Sequence, residues 1–194
     1  MPAQKERVMY RAMLLGAILS GLSVSPAVLA APHGEEFHAV FSGFNEVGGL
    51  NAQTGAILSD GRATLELRLN RADQTLAFVL KYSGLASGVT QAHIHFGKIH
   101  MAGGVMVFFC SNNPATSPAG TQPCPANSGT VSGTLSAGNV VGPAMQGVTA
   151  GDFQAIVDAL ESDTTYANVH TTAFPAGEIR GEIRRGFSFG VRDE

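Results

Sequence analysis

Leu65-Glu66-Leu67-Arg68-Leu69, followed after a polar break by Leu76-Ala77-Phe78-Val79-Leu80-Lys81-Tyr82, is the stretch that decides the fold class. Successive side chains leave a β-strand on opposite faces, so apolar residues at every second position mark a half-buried strand. Leu65, Leu67 and Leu69 share one face, with Glu66 and Arg68 on the other. Leu76, Phe78, Leu80 and Tyr82 repeat the pattern, with Lys81 opposite. Asn70 to Gln74 reads as the turn between them, and the two runs predict a hairpin.

The same period extends in both directions. Phe37, Ala39 and Phe41 share a strand face upstream, and Ala92, Ile94 and Phe96 share one downstream. Val105 to Cys110 is continuously apolar, which fits a strand covered on both sides or lying at an edge. Thr130 to Leu135 is a weaker strand. Ala167 and Val169, then Ile179 and Ile183, mark two late ones. One segment departs from the pattern: Phe153, Ile156, Val157 and Leu160 fall at helical spacing, predicting a short helix over about 150–161 with Thr149 as its N-cap. Short strands separated by Gly-rich turns predict an all-β Greek-key barrel or sandwich with one short helix.

The first thirty residues have a different character. Lys5, Arg7 and Arg11 precede an uncharged run from Ala12 to Ala31, broken by Gly16, Gly21 and Pro26. This order of charge, apolar core and small residues is the layout of a secretory signal peptide, with a cut after Ala30 and Ala27 as the second choice. The apolar core is short for a membrane span, which needs ~20 residues. Residues 31–35 then read as a short linker, 36–184 as the domain and 185–194 as a tail without periodicity. The chain is expected in the periplasm or outside the cell, without stable membrane insertion after cleavage. Across the full sequence 12 Lys and Arg face 15 Asp and Glu. That mildly acidic balance, with no basic run, argues against nucleic acid as a partner. Cys110 and Cys124 are the two cysteines. In an oxidising compartment an even count reads as one disulfide.

Histidines are the residues most able to carry chemistry. His93 and His95 sit two apart on one strand, so both imidazoles leave the same face while Ile94 points to the core. His170, next to Val169, would also point outward, and His100 follows in a loop beside Met101. Imidazoles suit copper and zinc, and a thioether suits Cu(I), so a metal site is one reading. The other is a set of histidines hydrogen-bonded beneath loops. Glu178, Arg180 and Glu182 alternate with apolar residues and read as a solvated strand face. Asn45 and Glu46, ahead of Val47-Gly48-Gly49, read as a turn. No nucleophile elbow, phosphate loop or zinc-protease helix is present in the sequence.

The motifs Phe41-Ser42-Gly43-Phe44-Asn45-Glu46-Val47, Ala92-His93-Ile94-His95-Phe96-Gly97, Tyr166-Ala167-Asn168-Val169-His170-Thr171 and Phe174-Pro175-Ala176-Gly177-Glu178-Ile179-Arg180-Gly181-Glu182-Ile183 together resemble the CHRD domain. That family is named for chordin and also occurs alone in exported bacterial proteins. The family usually has Pro after Glu-Val, where this chain has Gly48. The resemblance implies an immunoglobulin-like or superoxide-dismutase-like barrel, and it marks Asn45, Glu46, Asn168, Thr171, Glu178 and Arg180 as family-motif positions. A fainter likeness to Cu,Zn superoxide dismutase lies in the His-x-His strand and the late-strand His. The bridging histidine and zinc loop of that family have no counterpart, so dismutase chemistry is not expected. With family motifs but no catalytic set, the first expectation is a non-catalytic binding or structural module for an unidentified protein or surface ligand. The alternative is an exported copper or zinc protein using His93, His95 and His170, with His100 or Met101 as an extra ligand.

Overall fold

The computed structural model describes residues 35–47 and 55–186. The signal-peptide reading, most of the linker and the tail from residue 187 onward lie outside the described residues. Among the described residues nine strands form one antiparallel sheet: β1 (Glu35–Ser42), β2 (Arg62–Asn70), β3 (Thr75–Ser83), β4 (Val89–Phe96), β5 (Gly104–Ser111), β6 (Gly129–Leu135), β7 (Thr165–Thr171), β8 (Ile179–Glu182) and β9 (Arg184–Arg185). The spatial order is β5-β4-β7-β8-β1-β2-β3-β6, with β9 paired to the end of β1.

The hairpin expected at 65–82 is β2–β3, in register from Arg62 opposite Ser83 to Asn70 opposite Thr75. Its apolar faces fill the core with Phe37 and Phe41 of β1, Ile94 of β4 and Val169 of β7. The sheet curls into a nearly closed barrel, with β5 and β6 as the facing edges. Gln122 closes that seam: its Nε2 donates to the Phe109 carbonyl on β5 at 3.1 Å and to the Ser132 carbonyl on β6 at 3.2 Å. Gln122 stands in the loop tied by the Cys110–Cys124 disulfide. An unpaired strand edge exposes backbone donors and acceptors, and this loop satisfies some of them on both sides of the seam.

Among the described residues one α-helix, α1 (Phe153–Glu161), buries Phe153, Ile156, Val157 and Leu160, the residues its spacing put on one face. Its N-cap is Asp152 rather than Thr149: the Asp152 carboxylate accepts from the Ala155 N–H at 3.1 Å. Thr149 stands one turn upstream, where its carbonyl accepts from the Asp152 N–H at 3.1 Å, and the Asp152 carboxylate meets the positive end of the helix dipole. The tail reading needs a similar adjustment, since Arg185 belongs to β9 and pairs with Phe37 of β1.

Candidate metal centre

β4 lies between β5 and β7, and its pairing brings the outward side chains of three strands together. His93 sits opposite Asn168, His95 opposite Tyr166 and Gln91 opposite His170. On β8, Arg180 stands opposite Asn168 and Glu182 opposite Tyr166. The β4–β5 register shifts between Ala92 and His93 and again between Ile94 and His95. Such bulges bend a strand and re-aim its side chains; here they flank both histidines.

The three imidazoles converge. His93 is 4.6 Å from His95 and 4.6 Å from His170 between ring centroids. Each ring offers one nitrogen such that all three lie within 4.8 Å of one another. An ion at ~2.1 Å from each would hold them about 3.4 Å apart, so side-chain rotation of roughly an ångström completes the shell. All three are buried, at 2 %, 8 % and 6 % exposure for His93, His95 and His170.

Loops, not solvent, cover this outer face. In the turn between β4 and β5, the Gly103 carbonyl accepts from His95 Nδ1 at 2.7 Å, while the Gly103 N–H donates to the Tyr166 hydroxyl at 3.0 Å. A Cβ on Gly103 would collide with the Phe96 carbonyl, so only glycine lets the turn fold down this closely. In the turn between β7 and β8, the Pro175 carbonyl accepts from His170 Nδ1 at 2.8 Å. A carbonyl can only accept, so in both histidines Nδ1 carries the proton and Nε2 the lone pair. His170 Nε2 and His93 Nδ1 are buried with no protein hydrogen-bond partner. Buried polar atoms are nearly always paired, and among the exceptions in the described residues these two sit on adjoining imidazoles, where a shared acceptor would take both lone pairs.

Burial is the main cause holding all three imidazoles neutral. It pushes His95 down to about 4 against the opposing hydrogen bond to Gly103. It pushes His93 well below the ordinary imidazole range, helped by the other two rings, and lowers His170 against the Pro175 contact. The neutral form is the one that ligates a metal.

Behind His95 stands a stack. The Tyr166 ring lies parallel to His95 at 4.6 Å, and the Arg180 guanidinium covers the other Tyr166 face at 3.3 Å. Arg180 is fully buried. Its Nη1 donates to the Met101 carbonyl at 3.0 Å, and its Nη2 to the Lys98 carbonyl at 3.3 Å and the Glu182 carboxylate at 2.8 Å. The solvated face expected for Glu178, Arg180 and Glu182 is therefore not found. Glu178 is also fully buried, accepting from Ser59 at 2.6 Å, the Ala86 N–H at 2.9 Å and Thr171 at 2.7 Å.

The family model for the CHRD domain matches residues 37–183. This chain belongs to the CHRD family. It matches no curated protein and no solved structure.

Of the family-motif positions in this CHRD domain, Asn168 lies within the histidine cluster. Glu178 and Thr171 cross-link loops next to it, and Arg180 pins its cover. Glu46 is buried near His170 after a short 3-10 turn at Gly43–Asn45, which holds Asn45. Its carbonyl accepts from the Ala56 N–H at 2.6 Å, so the segment is an anchored loop rather than a plain turn. His100 does not join the cluster; it is exposed, with a left-handed φ of 59° at the tip of the covering turn. Met101 is 61 % exposed and serves through its carbonyl, not its sulfur. Sequence reasoning missed Tyr166 as a site residue, although it lies two positions from Asn168 and so shares its face.

Proposed function

We propose that this CHRD domain is an exported, non-catalytic metal-binding module holding one copper or zinc ion through His93, His95 and His170. The observation carrying this reading is that His93 Nδ1 and His170 Nε2, both buried, have no protein partner while facing His95 across a three-histidine cluster. The expected module without metal accounts for the fold but gives those two nitrogens nothing to do. The His95 and His170 Nδ1–H bonds to backbone carbonyls are the usual support of ligating histidines, fixing ring orientation and raising the basicity of Nε2. The donor set is imidazole without thioether, which suits Zn²⁺ or Cu²⁺ better than Cu⁺.

Export is part of the proposal. The Cys110–Cys124 disulfide is compatible with an oxidising compartment, and among the described residues no helix is long and apolar enough to cross a membrane. The test is metal content and intact mass of the protein recovered outside the cytoplasm. About one equivalent of copper or zinc is expected on a chain starting at Ala31. His93→Ala/His95→Ala should lose it, and His100→Ala should keep it. Where the double variant fails to fold, His170→Gln serves in its place. Sub-stoichiometric metal that the cluster variants leave unchanged overturns the reading.

A further inference from the structure

Asn168 is an amide inserted among the histidines, and its orientation is specific. It is buried, its Oδ1 lies 3.0 Å from His95 Nε2, and its amide also contacts His93. Because the Gly103 carbonyl takes the Nδ1 proton of His95, the nitrogen facing Asn168 carries a lone pair. An amide could turn its nitrogen toward that lone pair, so the far side of the amide decides which way it faces. That far side holds a carboxylate: a Cβ added to Gly177 would collide with Glu46 Oε2 and stand 3.1 Å from Asn168 Nδ2. The negative charge of that carboxylate favours the partly positive amide nitrogen on the Gly177 side, electrostatically rather than through a hydrogen bond, and leaves the oxygen toward the histidines. Gly177, at φ 126°, supplies the room for this approach.

We propose that Asn168 Oδ1 is the fourth ligand of the ion, its orientation biased by the charge of the Glu46 carboxylate, completing a closed set of three imidazoles and one amide oxygen. The inference rests on the three-histidine reading above and deepens it. Two ligands on one tetrahedral ion at ~2.1 Å stand about 3.4 Å apart. Asn168 Oδ1 and His95 Nε2 are close to that spacing, at 3.0 Å. A neutral oxygen donor is hard, so this fourth position favours Zn²⁺ or Cu²⁺ over Cu⁺. A set filled entirely by protein atoms is the structural kind of site, with no position left for a substrate. That gives the non-catalytic character of the module a physical cause.

The test uses the mature full-length protein titrated with Co²⁺, whose visible absorption reports its ligands, with Zn²⁺ competition for affinity. Wild type is expected to take one equivalent with the strong bands of four-coordinate cobalt. Asn168→Ala should bind about tenfold more weakly or worse and shift those bands as water replaces the amide. Asn168→Asp keeps an oxygen in place; it should recover most of the affinity with bands distinct from both. Glu46→Gln, which removes the charge that biases the amide's direction, should weaken binding less than Asn168→Ala. Wild-type affinity and an unchanged cobalt spectrum in Asn168→Ala overturn the fourth ligand while leaving the histidine site standing. Should Asn168→Ala fail to fold, an Asn168→Asp spectrum identical to wild type overturns it equally. A wild type that takes up no cobalt overturns the histidine reading itself, and the fourth ligand with it.

Discussion

β2 and β7 are strands of the same barrel with the same two-residue period, yet one is half solvated and the other is not. Along β2, exposed and buried positions alternate without a break. Along β7 every residue is buried. The inner faces are alike, with Leu65, Leu67 and Leu69 on one and Ala167 and Val169 on the other. The difference is what lies over the outer face. Glu66 and Arg68 meet solvent, whereas Tyr166, Asn168 and His170 meet the turns that carry Gly103, Pro175 and Glu46. Polar residues on an outer face indicate water only until something else covers them. Once covered, each must find a partner, and the atoms that do not are the ones that point to function.

The sharpest way to break this comparison is Arg180→Met. The guanidinium is fully buried and satisfies two backbone carbonyls and Glu182. Replacing one partner of a buried ion pair leaves the rest uncompensated, at about 3–5 kcal/mol. Equilibrium urea unfolding should show a loss in that range, and faster hydrogen exchange in the turn at residues 97–103 that Arg180 pins. A loss under ~1 kcal/mol would mean that the cover over β7 is held by something else.

Acid distinguishes the two regions next. An unfolded imidazole titrates near ~6.5, while burial holds His95 near about 4 in the fold. Between those values the unfolded chain binds more protons, so stability falls as pH falls. The contribution of neutral His95 is complete above its unfolded pKa and is lost progressively as pH drops through its folded one; His93 and His170 act in the same direction. With chelator present, the unfolding free energy should drop by roughly 2 kcal/mol or more between about pH 6.5 and 5, above the ordinary carboxylate range. A flat profile over that interval would show that the histidines are hydrated rather than buried.

The fold was largely legible because local pattern and core demand coincide. The hairpin and the helical face of α1 follow from spacing alone, and the disulfide from an even cysteine count taken with the export reading. The shared direction of His93 and His95 was equally legible, since it depends only on period. What the sequence could not carry is the cover. Arg180 reaches the Met101 carbonyl across 79 residues of chain, and nothing near Glu178-Ile179-Arg180 distinguishes it from the solvated alternation of Leu65-Glu66-Leu67-Arg68. For the same reason the sequence leaves His100 open as an extra ligand beside His95. They differ in where the covering turn puts them, one beneath it and one at its exposed tip.

The smallest expected effect gives the cleanest control, because Arg68 and Arg180 have similar local sequence and opposite surroundings. Arg68 pairs with Glu36 on β1 at 2.9 Å, and both side chains are more than half exposed. An exposed pair gains little from Coulomb attraction in high dielectric and costs side-chain entropy to hold, so Arg68→Ala should cost about 0.2–1 kcal/mol. That loss should fade in ~1 M salt, where screening acts within a few ångströms. The Arg180→Met loss should persist there, since the ions that screen cannot enter a buried pair. If both substitutions cost the same, or salt erased both, the contrast between β2 and β7 would not come from burial. Persistence of one loss and fading of the other would trace it to the turns that close over the histidines.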